Sequence, residues 1–235
     1  MTARAGSRAA QVLHLADGRA LGYAEWGDPG GRAVLELHGN PGGRLLLWDE
    51  DLLTAAGTRW ITVDRPGIGL SDPRPARRVT DWADDVAELT DALGLGRFAA
   101  GALPGLAARA FARGLSDADA ELVRRRPEVV KRGIDQASDA MQRGARGLIE
   151  DLRIVMGPWG FGLDEIEVPT AVWQGGDDGS IPASWGERLA TEIPGARLRA
   201  LAGEGHLLIA DRLGDIVAEL ERMGGAGLEP ATSSV

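Results

Sequence analysis

The chain has 235 residues, 44% of them hydrophobic, and its 26 basic and 35 acidic residues give a net charge of −9. That length suits one domain with a small lid, and the apolar content can build a real core. The acidic balance argues against nucleic acid or an anionic membrane surface as a partner, and the absence of cysteine excludes disulfides, thiolate metal sites and a cysteine nucleophile.

The first ten residues contain Arg4 and Arg8 but no apolar core of the kind a signal peptide needs. No apolar run reaches the length of a membrane span, so a cytoplasmic protein is expected. Val12 to Leu15 and Leu21 to Trp26 flank Asp17-Gly18, a hairpin signal. Ala33 to Leu37 is a short apolar run, as expected of a strand buried on both faces. Arg44 to Ala56 reads as a helix with Gly57 just beyond it. Trp60 to Val63 is the next buried strand, and Pro66 to Pro75 is a loop. Trp82, Val86, Leu89 and Leu93 repeat at helical spacing behind a cap at Thr80 or Asp81, and Gly94 stops that helix.

A short strand is expected to begin at Arg97. From Leu106 to Val155 the pattern is helical only, with Ile134, Ala137, Met141, Ala145, Leu148, Leu152 and Val155 forming one stripe. A strand follows at Val168 to Trp173, then a helix from Ala183 to Ile193, a strand from Arg197 to Ala202, and a last helix from near His206 to Met223. Strands alternating with helices predict an α/β fold with a mostly parallel sheet. The expected organisation is one domain over 10–223, with 106–156 as a helical lid over the carboxyl ends of the strands. Residues 1–9 and 224–235 are expected to be flexible.

Four stretches carry chemistry. His38-Gly39-Asn40-Pro41-Gly42-Gly43 directly follows a buried strand. Its glycines let the backbone turn and expose N–H groups that can stabilise an oxyanion, although a plain Gly-Pro turn has the same composition. Asp64-Arg65-Pro66-Gly67-Ile68-Gly69-Leu70-Ser71-Asp72 follows another strand. Ser71 lacks the glycine that follows a nucleophilic serine by two residues, so local turn bonds are expected for Ser71 and Asp72. Gly67 and Gly69 make no dinucleotide loop, because no helix starts there. Asp178, or Asp177 beside it, ends the strand at Val168 and could hold an imidazole in a useful tautomer. A turn preceding a helix also favours Asp. Of the three histidines, His14 lies in the N-terminal strand. His206 follows the last strand and lies downstream of Asp178, in the order acid then base.

Together these residues resemble the α/β-hydrolase superfamily over Val12 to Met223. The likeness is to the esterase, peptidase and epoxide-hydrolase-like group. It rests on Leu37-His38-Gly39-Asn40-Pro41-Gly42, on Asp64-x-Pro66-Gly67-x-Gly69-x-Ser71-Asp72, on Asp178-x-x-Ile181-Pro182 and on Gly205-His206. The resemblance implies that Asp178 is the triad acid, that His206 is the base, and that backbone N–H groups around Gly39 and Asn40 form half of an oxyanion hole. It implies hydrolysis of a small ester, amide or similar substrate, with no cofactor and no metal.

One part departs from that pattern. No Gly-x-Ser-x-Gly occurs in the chain, and the one elbow-like string is Gly101-Ala102-Leu103-Pro104-Gly105. Leu103 has no nucleophile, and Pro104 has no N–H to donate to an oxyanion. The sequence then moves directly into helical text. A central segment looks to be missing, so the strand near Phe98 must pair with the strand at Val168 or leave a gap. Impaired hydrolysis is expected, and a non-catalytic binding protein for a small molecule is the alternative. The basic cluster Arg124-Arg125-Arg126 with Lys131 and Arg132 reads as a solvated helix face. Ser184 reads as a helix cap, and Trp26, Trp48 and Trp159 read chiefly as core.

Overall fold

The structure, a computed structural model, describes residues 8–102 and 115–225. Strands β1 (Gln11–His14) and β2 (Ala20–Gly27) form an antiparallel hairpin with Leu13 opposite Leu21. Gly18 closes it at φ +85°, a backbone angle that glycine adopts freely. Strand β3 (Arg32–Leu37) runs parallel to β4 (Thr58–Val63) on one side and to β5 (Ala99–Ala102) on the other. The strand order is β1-β2-β4-β3-β5. Strands β6 (Ala171–Gly175) and β7 (Arg197–Leu201) form a separate parallel pair. Among the described residues no ladder joins β5 to β6. In that set β5 pairs with β3, and β6 pairs with β7.

Both faces of the larger sheet are covered. On one face Leu35, Ile61 and Val63 pack with Leu89, Trp82, Val86 and Leu93 of helix α2 (Asp81–Ala92). On the other, Val34 and Trp60 pack with Leu53 of α1 (Glu50–Ala55) and with Ile209, Leu213 and Val217 of the last helix (Ile209–Gly225). Val34 and Leu35 face opposite ways because side chains alternate along a strand. That two-sided burial is why β3 and β4 read as nearly unbroken apolar runs. Each buried Leu or Ile contributes about 1.5–3 kcal/mol. The last helix also reaches the smaller sheet, where Arg199 of β7 pairs with buried Glu219 at 2.8 Å. It therefore touches both sheets across the missing ladder.

Of three further helices, α3 (Asp117–Arg125) bonds the loop after β7 and the start of the last helix, while α4 (Glu128–Ala140) and α5 (Arg146–Val155) bond the loops that leave the carboxyl ends of β3 and β4. Gly69 donates its N–H to the Ala140 carbonyl at 3.2 Å. Gly147 approaches Gly67 so closely that a side-chain carbon at Gly147 would collide with the Gly67 carbonyl. Helix α6 (Ala183–Glu192) and the last helix, α7, complete the described helices of regular α type.

Three expectations fail locally. Arg44 to Asp49 is not helical; only Glu50–Ala55 is, capped by the Asp49 carboxylate, which accepts from Leu52 N–H at 3.0 Å. The chain from Arg44 is held instead by Arg44 itself, whose side chain is drawn to Asp64 and Asp139. The stripe from Ile134 to Val155 is two helices broken at Gly144, where φ is +88°. Ile134 and Met141 are exposed, while Gln136, Ala140, Gly147 and Asp151 are buried. Ser184 lies inside the first turn of α6 and exposed, with Pro182 in the cap position.

Candidate active site

Asp178 and His206 stand on the loops that follow β6 and β7. Those loops are tied together by Gly176 N–H to the Leu201 carbonyl at 2.8 Å and by Asp177 N–H to the Glu204 carbonyl at 2.9 Å. Gly175 is required there, because any side-chain carbon would collide with the Gly205 and Glu204 carbonyls. Asp178 Oδ1 accepts from the N–H groups of Ser180 at 2.7 Å and Ile181 at 2.9 Å. Its Oδ2 lies 3.0 Å from His206 Nδ1. Burial pushes the Asp178 carboxyl up, but the His206 bond and the two N–H donors outweigh it and hold the group below the ordinary carboxylate value. A carboxylate at Nδ1 makes that nitrogen the donor and leaves Nε2 as the basic one. Asp177, the other candidate acid, makes no bond to His206.

No described hydroxyl bonds His206 Nε2. Ser71 is fully buried, donates to the Asp64 carbonyl at 2.7 Å and accepts from Gly22 N–H at 2.9 Å. Asp72 likewise reaches β2, accepting from Ala20 N–H at 2.9 Å. The Ser71 bond to Asp64 is the local one expected of this loop, and the bonds from Gly22 and Ala20 add a tie to β2. Leu103 and Pro104 lie outside the described residues.

The turn after β3 is built from inside. His38 is buried, and burial together with the Arg65 guanidinium drives its pKa down to about 3, so the ring is neutral. Nε2 accepts from Arg65 N–H at 3.3 Å, which places the proton on Nδ1, 2.7 Å from the Gly39 carbonyl. His38 therefore shapes the turn and is no proton carrier. The Asn40 side chain is also turned inward: Nδ2 donates to the Leu148 carbonyl at 3.1 Å and to Asp151 Oδ2 at 3.3 Å. What the turn leaves open is backbone, since no described residue accepts from the N–H groups of Gly39 or Asn40.

Asp151, Asp64 and Glu36 are buried carboxylates to which the sequence assigned no role. Asp151 of α5 binds Arg65 at 2.7 Å and Arg77 at 2.6 Å, and these cations hold it below the ordinary carboxylate value against the upward push of burial. It fastens the helical block to the His38 turn and to the loop after β4. Asp64 is fully buried, accepts from Arg44 N–H at 2.6 Å and Leu70 N–H at 2.8 Å, and pairs with the Arg44 side chain at 3.0 Å. The glycines at 22, 43 and 69 pack against it, which accounts for that motif as structure. Glu36, inside β3, accepts from the indole N–H groups of Trp48 at 3.2 Å and Trp60 at 2.6 Å.

Other candidates resolve plainly. Arg124, Arg125, Arg126 and Lys131 each pair with a carboxylate, and Arg132 bonds the Trp48 carbonyl. Trp26 and Trp48 pack in the core, while Trp159 is partly exposed against Phe161. Among the described residues no cluster of three His, Asp or Glu side chains is placed to hold a metal ion, and no helix is long and apolar enough to cross a membrane. A cleft of about 570 Å³ between Arg77 and α5 is lined by neither Asp178 nor His206.

No protein-family model and no curated protein matches the chain. Solved structures do. An α/β-hydrolase fold protein from Nakamurella multipartita is 22% identical with a TM-score of 0.71, covering 92% of this chain and 100% of that one. An esterase from Exiguobacterium antarcticum is 20% identical with a TM-score of 0.65, over 92% and 100%. The enol-lactonase from Burkholderia xenovorans LB400 is 18% identical with a TM-score of 0.67, over 91% and 99%. With parallel strands alternating with helices, and with these neighbours across nearly its whole length, the chain has the α/β-hydrolase fold.

Proposed function

We propose that the chain is a slow hydrolase of small esters, lactones or similar acyl compounds, in which His206 activates water directly. The observation that carries this reading is the 3.0 Å bond between His206 Nδ1 and a carboxylate already locked by two N–H groups. Asp178 orients the imidazole and supports its charge. Nε2 takes a proton from water as the oxygen attacks the carbonyl, and returns it to the leaving alcohol. The N–H groups of Gly39 and Asn40 are the donors for the developing oxyanion. Helices α3 to α5 act as a lid over this end of the sheet, and the fold's esterase and lactonase neighbours support the substrate class.

Binding and oxyanion donors alone can leave roughly 10³- to 10⁴-fold acceleration over water in a site without its triad, and water activated by His206 would add to that. The test is turnover of a small activated ester by the wild-type chain and by His206→Ala. The reading predicts slow turnover that drops in the variant; equal rates contradict it.

A second reading, a non-catalytic protein that binds a small molecule, is favoured by one observation. Ser71 is sealed inside the fold and Ser184 sits exposed within a helix turn, so neither serine weighed in the sequence can serve as a nucleophile. Tight binding of an ester without turnover would select it.

A further inference from the structure

We infer that Asp119, on the first turn of α3, is the residue that positions His206. The inference rests on the reading of Asp178 and His206 as an acid–base pair.

Asp119 is 2% exposed and has no cationic partner among the described residues. Its carboxylate is spent on the backbone that carries the imidazole. Oδ1 accepts from Leu207 N–H at 2.8 Å, and Oδ2 accepts from His206 N–H at 3.1 Å. The third bond comes from Ser116, whose hydroxyl donates to Oδ2 at 2.7 Å and accepts from Asp119 N–H at 3.2 Å. Ser116 is thus both the cap of α3 and the brace of its carboxylate.

Gly205 shows how tightly the carboxylate is seated. Any side-chain carbon at that position would collide with Asp119. The same helix end touches the acid loop as well, because a side-chain carbon at Gly179 would stand 3.5 Å from Ser116 Cβ. One helix start therefore abuts both the loop of Asp178 and the loop of His206.

The consequence is geometric. Two hydrogen bonds to consecutive N–H groups fix the peptide planes on both sides of the His206 Cα. Those planes set the direction in which the imidazole leaves the chain, and so whether Nδ1 meets Asp178 Oδ2. A buried carboxylate that accepts from backbone amides leaves those amides unsatisfied when it is removed. Asp119 touches no reacting atom and acts only through His206.

The experiment follows the imidazole Nδ1 proton by NMR in the full chain. A proton shared between imidazole and carboxylate is strongly deshielded, and its signal is assigned to His206 by its loss in His206→Gln. The expected result is a resonance present in the wild type and in Ser116→Ala, which weakens the helix cap but leaves both amides their acceptor. It is lost in Asp119→Ala while circular dichroism and cooperative melting persist. Asp119→Asn is measured in parallel as the variant closest in shape. It keeps an acceptor for Leu207 and presents a donor to His206 N–H, so its resonance is expected to be broadened or shifted. An unchanged resonance in either folded Asp119 variant overturns the inference and leaves the acid–base pair standing. No deshielded resonance in the wild type overturns the pair itself, and the inference with it.

Discussion

Glu36 offers a stability measurement whose size follows from the structure. It lies within β3, 1% exposed, with Trp48 and Trp60 donating to its two oxygens. Two N–H donors favour the ionised form and burial opposes it. Burial wins, and the group is pushed up from 4.5 to about 7. Between those values the folded chain keeps a proton that the unfolded chain has released. Stability must therefore fall as pH rises through this window and level off above about 7. The full displacement is worth about 3 kcal/mol, most of which falls between pH 5 and pH 8. Glu36→Gln removes the titration. Glutamine has one acceptor for two indoles, so the variant carries a penalty of about 1–3 kcal/mol that does not vary with pH. The assay is urea unfolding of both proteins at pH 5, 6, 7 and 8, followed by tryptophan fluorescence. The advantage of the wild type over the variant should shrink by about 2–3 kcal/mol from pH 5 to pH 8. A difference that stays constant over that range refutes the reasoning and returns Glu36 to an ordinary surface-like carboxylate.

Asp151→Ala leaves Arg65 and Arg77 facing each other in a buried site, and should cost about 3–5 kcal/mol in urea unfolding at pH 7. Because those cations lower the Asp151 pKa in the fold, its stabilisation is present above 3.8 and is lost as pH falls through the lowered value. The variant should accordingly show a shallower loss of stability on acidification than the wild type, read by the same method. Gly147→Ala drives a methyl group into the Gly67 carbonyl and should lower stability by about 1–3 kcal/mol, seen as a lower Tm. An unchanged Tm would mean that α5 does not bear on the loop after β4.

The sequence carried local signals well and long-range ones poorly. Asp17-Gly18 and the spacing of Trp82, Val86, Leu89 and Leu93 are set by neighbours in the chain, and the hairpin and α2 appear where they indicate. Asp178 and His206 stood out because each follows a strand, and the structure joins them at 3.0 Å. Asp119 was not. Ser116 and Asp119 are three residues apart in polar helical text, and nothing local reveals that the carboxylate reaches His206, 87 residues away. Glu36 was hidden in an apolar strand because its partners are indoles from other elements. The turn from Arg44 was misread as helix because Asp64 and Asp139, distant in sequence, dictate its course. Gly144 shows the limit of periodicity: an apolar repeat ran across it, while its left-handed backbone ends one helix and lets the next turn its own face inward.

The most direct test of the account is the first moment of ester hydrolysis, followed by rapid mixing with a small activated ester. If water activated by His206 attacks the ester, no acyl group is ever held on the protein, and product release is linear from zero time. A burst approaching one equivalent of product per chain, the mark of an accumulating acyl-enzyme, would show that a nucleophile does the work and would contradict the account.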